Sequence, residues 1–158
     1  MPSIIRIFTI VVILTAIQLN GNVEKKTQCD KVFTVLLYFF LFHNSFDTLI
    51  FLLGGEEFFF VIIGAPFGLA YGPLIYFCFL SAKSELSYRK VIQHSMLPVL
   101  YGFIFISFVL EVKFRQIIGD LYYITLYIFI SLSNFGYSIY LIAKKKAIPH
   151  DKMFILYL

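Results

Sequence analysis

Apolar residues in this chain gather in long blocks, and polar residues collect in the short gaps between them. The blocks show neither an alternating period nor a narrow apolar stripe, so each predicts a helix apolar on most sides. A bilayer-spanning helix needs about 20 predominantly apolar residues. The blocks therefore predict an all-α fold, a polytopic membrane helical bundle of about five transmembrane helices. The expected spans are residues 4–20, 32–53, 58–81, 95–112 and 121–143, together forming one transmembrane domain.

The gaps carry turn and charge signals. Asn20-Gly21-Asn22 leads into Glu24-Lys25-Lys26, and Gly54-Gly55-Glu56-Glu57 predicts a tight turn. Residues 83–94 hold Arg89 and Lys90, Glu111 to Asp120 holds Lys113 and Arg115, and Lys144-Lys145-Lys146 closes the last block. The first block also has the outline of a secretory signal, with Arg6 ahead of an apolar stretch. Leu19-Asn20-Gly21 is a poor cleavage site, and removal of the block would reverse the charge balance of every later loop.

Composition narrows the class. The 158 residues are 60% hydrophobic and only 14% charged, against roughly 45–50% and about 25% in soluble domains. A globule of this size has too little interior for so many apolar side chains. This excludes a soluble enzyme domain, a disordered chain and a disulfide scaffold. Cys29 and Cys78 lie in different segments without ligand spacing, and are expected as separate small apolar thiols.

Charge position sets an expected orientation. With five spans, Lys25, Lys26, Lys31, Lys83, Arg89, Lys90, Lys144, Lys145, Lys146 and Lys152 share one side, and Arg6, Lys113 and Arg115 the other. Ten against three places the richer side in the cytoplasm. The expected localisation is the cell membrane, with the N-terminus outside and the C-terminus inside. Arg6 is the one charge against this arrangement. Residues 144–158 form a basic cytoplasmic tail. Its apolar end, Met153 to Leu158, has the look of an unfinished span, as in a fragment of a longer protein.

Chemistry-bearing motifs are missing: there is no phosphate loop, nucleophile elbow, zinc-protease or dinucleotide signature. His43, His94 and His150 fall in separate segments. No enzyme activity, metal or cofactor is expected. What the spans do hold is patterned packing and polarity. Gly64, Pro66, Gly68, Gly72 and Pro73 predict a central kink with a small-residue face for a neighbouring helix, and Pro98 a second irregularity. In the second span His43, Asn44 and Asp47 share a face. In the last span Asn134 lies among Ser131, Ser133 and Ser138. Polar groups in hydrocarbon need partners. These residues are thus the candidates for a ligand-binding cleft opening outward, or for helix-to-helix hydrogen bonds.

The run Gly72-Pro73-Leu74-Ile75-Tyr76-Phe77-Cys78-Phe79-Leu80-Ser81, a basic loop, and then His94-Ser95-Met96-Leu97-Pro98 is similar to the N-terminal membrane region of membrane-anchored AraC-type transcriptional regulators. The specific motif, carried by Gly72, Pro73, Tyr76, Ser81, His94 and Pro98, lies within residues 66–98. The resemblance implies a non-enzymatic sensing or signalling membrane region without its DNA-binding output domain. It implies no direct nucleic-acid binding by this chain. Expected partners are the lipid bilayer, a small-molecule or peptide signal, and a further copy of the chain. The rival expectation is a small transport or channel component using the polar residues of spans two and five.

Overall fold

The computed structural model describes residues 2–22, 26–54 and 58–144. The fold is all-α, with no strand among the described residues. Its elements are α1 (Pro2–Gly21), α2 (Gln28–Gly54), α3 (Phe59–Gly64), α4 (Phe67–Ala82), α5 (Tyr88–Leu110) and α6 (Val112–Lys144). Four described helices are long and apolar enough to cross a bilayer: Gln28–Gly54, the interrupted run Phe59–Ala82, Tyr88–Leu110 and Lys113–Lys144. Ile7–Gly21 is a shorter apolar helix. By length and composition this is a multi-pass membrane protein. Its surface agrees: Leu53, Leu110 and Ile117 are each more than three-quarters exposed, as lipid-facing side chains are. The turn at residues 55–57 and the tail at 145–158, both assigned a role from the sequence, lie outside the described residues.

The chain divides into two compact units, Met1–Ile63 and Gly64–Leu158. In the first, α1 packs on α2 as a helical hairpin. Asn20 Nδ2 donates to Thr34 Oγ1 at 2.6 Å and to the Asp30 carbonyl at 3.2 Å. Ile13, Cys29, Leu36 and Leu37 are buried in this unit. A capping box opens α2: the Asp30 carboxylate accepts from Thr27 N–H at 2.8 Å, and Asp30 N–H donates to Thr27 Oγ1 at 3.3 Å.

The second unit is a three-helix bundle of α4, α5 and α6. Its contacts give the directions. Along α6, Tyr122 meets Gly64, Asn134 meets Gly68 and Tyr137 lies on Tyr76, so α4 and α6 run parallel. Phe108 stacks on Tyr122 at 4.7 Å and His94 bonds Tyr137, so α5 runs against both. Lys83, the first turn of α5 with Arg89 and Lys90, and Lys144 are thereby brought to one end of the unit.

Three helices start four or more residues ahead of their apolar blocks. α2 begins at Gln28, not 32; α5 at Tyr88, not 95; α6 at Val112, not 121. Glu111 alone separates α5 from α6. Hydropathy reports contact with lipid, whereas a helix continues wherever its backbone bonds can be made and its ends capped. Lys113, Arg115 and Gln116 are good helix formers, so the expected connection is helical. At 33 residues α6 is about 50 Å long, well beyond a hydrocarbon core of about 30 Å.

The interruption of the apolar run falls at one of the positions named for the central kink. α4 runs through Pro73, and the interruption falls at Ala65-Pro66. Pro66 disfavours helical geometry in the residue before it and opens α4 as a position where a missing N–H costs nothing. α4 ends in a Schellman turn. Glu85 N–H donates to the Leu80 carbonyl at 2.8 Å, and Ser84 N–H to the Ser81 carbonyl at 3.1 Å. Leu86 packs on the Phe79–Leu80 cluster beneath it. Ser84 holds φ 58°, a left-handed conformation that favours glycine. Ser84→Gly is expected to stabilise the protein by about 1 kcal/mol, read as a higher unfolding midpoint in detergent. An unchanged or lower midpoint would contradict this account of the turn.

Candidate functional site

The glycines of α3 and α4 let α6 approach closely. A Cβ placed on Gly68 would lie 2.9 Å from Ile130 Cδ1. One on Gly72 would lie 2.5 Å from Tyr137 Cδ2 and 2.9 Å from Ser133 Oγ. Gly64 is looser, 3.4 Å from the Tyr123 ring. The close approach brings polar groups of α6 within reach of backbone carbonyls. Tyr122 Oη donates to the Gly64 carbonyl at 2.6 Å, beside the break. Asn134 Nδ2 donates to the Gly68 carbonyl over a longer 3.4 Å.

One turn beyond Gly72, the rings of three helices meet. Tyr76 of α4 sits edge-on to His94 of α5 at 4.9 Å between centroids. It also packs at 5.3 Å on Tyr137 and at 5.4 Å on Tyr140, both of α6. His94 Nδ1 and Tyr137 Oη share a hydrogen bond of 2.6 Å. Edge-on aromatic pairs of this kind add roughly 0.5–1.5 kcal/mol beyond area burial. Beside the cluster lies a groove of about 350 Å³, floored by Leu132 and Gly136 and walled by Tyr76, His94, Tyr137 and Tyr140.

The basic end of the unit frames this cluster. Ser87 caps α5, accepting from Lys90 N–H at 3.5 Å, and Lys90 Nζ donates to the Glu85 carbonyl at 3.0 Å. Lys83 pairs with Glu85 at 2.8 Å. That hydrogen bond holds the Glu85 carboxyl below its usual range, so it stays ionised across the physiological range. Lys83 Nζ also lies 5.6 Å from the Phe79 ring, which packs on Tyr140.

The residues named from the sequence are distributed unevenly over this picture. Gly72, Tyr76 and His94, from the family-like motif, converge on one spot. Ser81 is buried and donates to the Cys78 carbonyl, closing α4 rather than facing the groove. Pro73 is buried in α4 and Pro98 lies inside α5. The candidate polar residues of α2 make bonds within their own helix. His43 Nε2 and Asp47 Oδ2 pair at 3.3 Å, Asn44 donates to the Phe40 carbonyl and Thr48 to the Asn44 carbonyl. His43, Asn44 and Asp47 belong to the first unit and Asn134 to the second. Ser131 and Ser138 are exposed on α6.

Sequence reasoning missed Tyr137, Tyr140 and Tyr122. Tyrosine reads as apolar in a hydropathy block, which hides its hydroxyl. A signal was present: Ser133, Tyr137, Tyr140 and Lys144 fall at helical spacing on one face.

Comparison with known proteins finds no matching family model, no similar curated protein and no similar solved structure.

Two glycines separate packing from propensity. Gly72→Ala is expected to destabilise by about 1–3 kcal/mol through overpacking against Tyr137. At Gly102 a Cβ meets nothing within 4 Å, so Gly102→Ala should be neutral or gain up to about 1 kcal/mol. Denaturant titration of the protein in mixed micelles checks both, and equal effects would refute the close approach. Tyr137→Phe should cost about 1 kcal/mol by removing the His94 bond, measured in the same titration.

Proposed function

We propose that this chain is the sensing membrane region of a transcriptional regulator of the kind it resembles, with the cluster around His94 as the relay between signal and output. The observation that carries this reading is the meeting of Tyr76 and His94. They stand in different helices on either side of a basic loop, and they pack ring to ring against Tyr137. A hydrogen bond joining two helices at one end of a bundle is a discrete contact that a ligand can make or break. A switch of this sort needs such a two-state element.

The charge pattern supports an orientation. α4, α5 and α6 alternate in direction, and Lys83, Arg89, Lys90 and Lys144 share the end where His94 lies. The positive-inside rule argues for that end in the cytoplasm of a cell membrane, and with α1 crossing as a fifth span the N-terminus lies outside. The relay then faces the compartment where DNA is bound. Contact with DNA falls to a segment or partner outside these 158 residues. The transport reading has less behind it, because Asn44 and Thr48 each turn a donor to a carbonyl of their own helix.

Two measurements test the proposal. A reporter placed after Lys146 is expected to be active only as a cytoplasmic enzyme, and activity on the outer side would overturn the orientation. For the relay, a helix-turn-helix domain of known operator is appended after Leu158. Transcription from that operator should change at least about fivefold with His94→Ala, the ratio given by about 1 kcal/mol of coupling. Equal transcription from native and variant proteins at equal membrane levels would sink the signalling role.

A further inference from the structure

We propose that the groove beside His94 binds a single-chain amphiphile with an anionic head, a long-chain carboxylate, whose tail lies along α6 and whose head meets the lysines of the basic end. The proposal rests on the sensory reading of this site and supplies its ligand class.

Shape is the first argument. Leu132, Gly136 and Tyr140 recur every four residues on α6 and make a stripe roughly 12 Å long. The volume of about 350 Å³ is at the lower end for small-molecule sites, and suits one chain better than two. Access is the second. Leu132 is 62% exposed, and a Cβ at Gly136 meets nothing within 4 Å. The groove is therefore open along the flank of α6, from which a molecule dissolved in lipid could enter.

Polar chemistry is the third. When Tyr137 donates to His94 Nδ1, the neutral ring carries its proton on Nε2 and keeps a donor. When Nδ1 donates instead, the phenol O–H is released as the donor. Either tautomer leaves the pair one donor for a carboxylate oxygen.

Charge is the fourth, and it selects the head. Lys90 lies one helical turn before His94, and Lys144 one turn after Tyr140. Lys83 lies at the same corner against Phe79 but is paired with Glu85, so Lys144 and Lys90, one of whose donors goes to the Glu85 carbonyl, carry the net positive charge. The nearby carboxylate, Glu85, is engaged by Lys83. A cationic head would meet repulsion here, and a neutral one would forgo the lysines.

The test uses the full chain in phosphatidylcholine nanodiscs with nitrogen-labelled histidine, the His94 resonance being assigned through His94→Gln. Dodecanoate should shift that resonance saturably. Dodecanol should bind about tenfold more weakly or worse, and dodecyltrimethylammonium should leave the resonance unmoved. Gly136→Leu fills the groove where there is open space and should abolish the shift. Gly102→Leu, which adds the same bulk at another open position, should bind as the native chain does. Lys90→Gln with Lys144→Gln should weaken dodecanoate binding about tenfold, a loss of 1.4 kcal/mol. An undiminished response in Gly136→Leu, or an equal response to the cationic amphiphile, would mean partition into lipid alone and overturn the proposal. A His94 shift produced without amphiphile by mixing in unlabelled copies would give the groove to a second chain, with the same consequence. Binding is read here without any output domain. Its failure beside an intact transcriptional response to His94→Ala would remove the ligand class and leave the signalling reading standing.

Discussion

The hydroxyl of Tyr122 on the carbonyl of Gly64 is the contact on which the second unit depends. Pro66 interrupts an apolar run that is otherwise long enough to cross a bilayer. An interruption there frees backbone groups that lipid cannot satisfy, at several kcal/mol each. Tyr122 answers from α6 at 2.6 Å, which requires α6 to lie close against the break. Gly68 and Gly72 make that closeness possible, since side chains there would collide with Ile130 and Tyr137. The parallel course of α4 and α6 follows, and with it the placing of Tyr137 against Tyr76 and His94.

Hydrogen bonding in this protein is mostly a local matter. The hydroxyls of Thr9, Thr15, Thr34, Thr48 and Ser107 donate to carbonyls four residues earlier in their own helices. Such back-bonding lets a helix carry polar residues into lipid without a neighbour. A polar residue in a span is therefore a weak guide to a site. The polar groups that do cross between helices carry more information: Asn20 in the first unit, and Tyr122, Asn134 and the His94–Tyr137 pair in the second. Their bonds fix how one helix sits against another, so they are where a ligand or a substitution can change that fit.

Much of this was legible in the chain itself. Blocks of apolar residues determined the helical class and pointed to the membrane as solvent, because runs of about twenty predominantly apolar residues are of the length and character that cross a bilayer. Glycine at every fourth position marked the face of close approach, and the Gly-Pro and His-x-x-x-Pro motifs marked two of the three helices that meet at the His94–Tyr137 contact. The helices at Gln28, Tyr88 and Val112 start four to nine residues ahead of the apolar blocks, since hydropathy follows the lipid while Thr27, Asp30 and Ser87 set two of the caps. Only the structure decided that the helix is interrupted at Ala65-Pro66 while α4 continues through Pro73, and that Tyr137 is the partner of His94. The reason is physical. Composition reports the medium in which each segment is stable, but the partner of a hydroxyl or an imidazole is chosen by helix direction and rotation, which arise when all three helices pack at once.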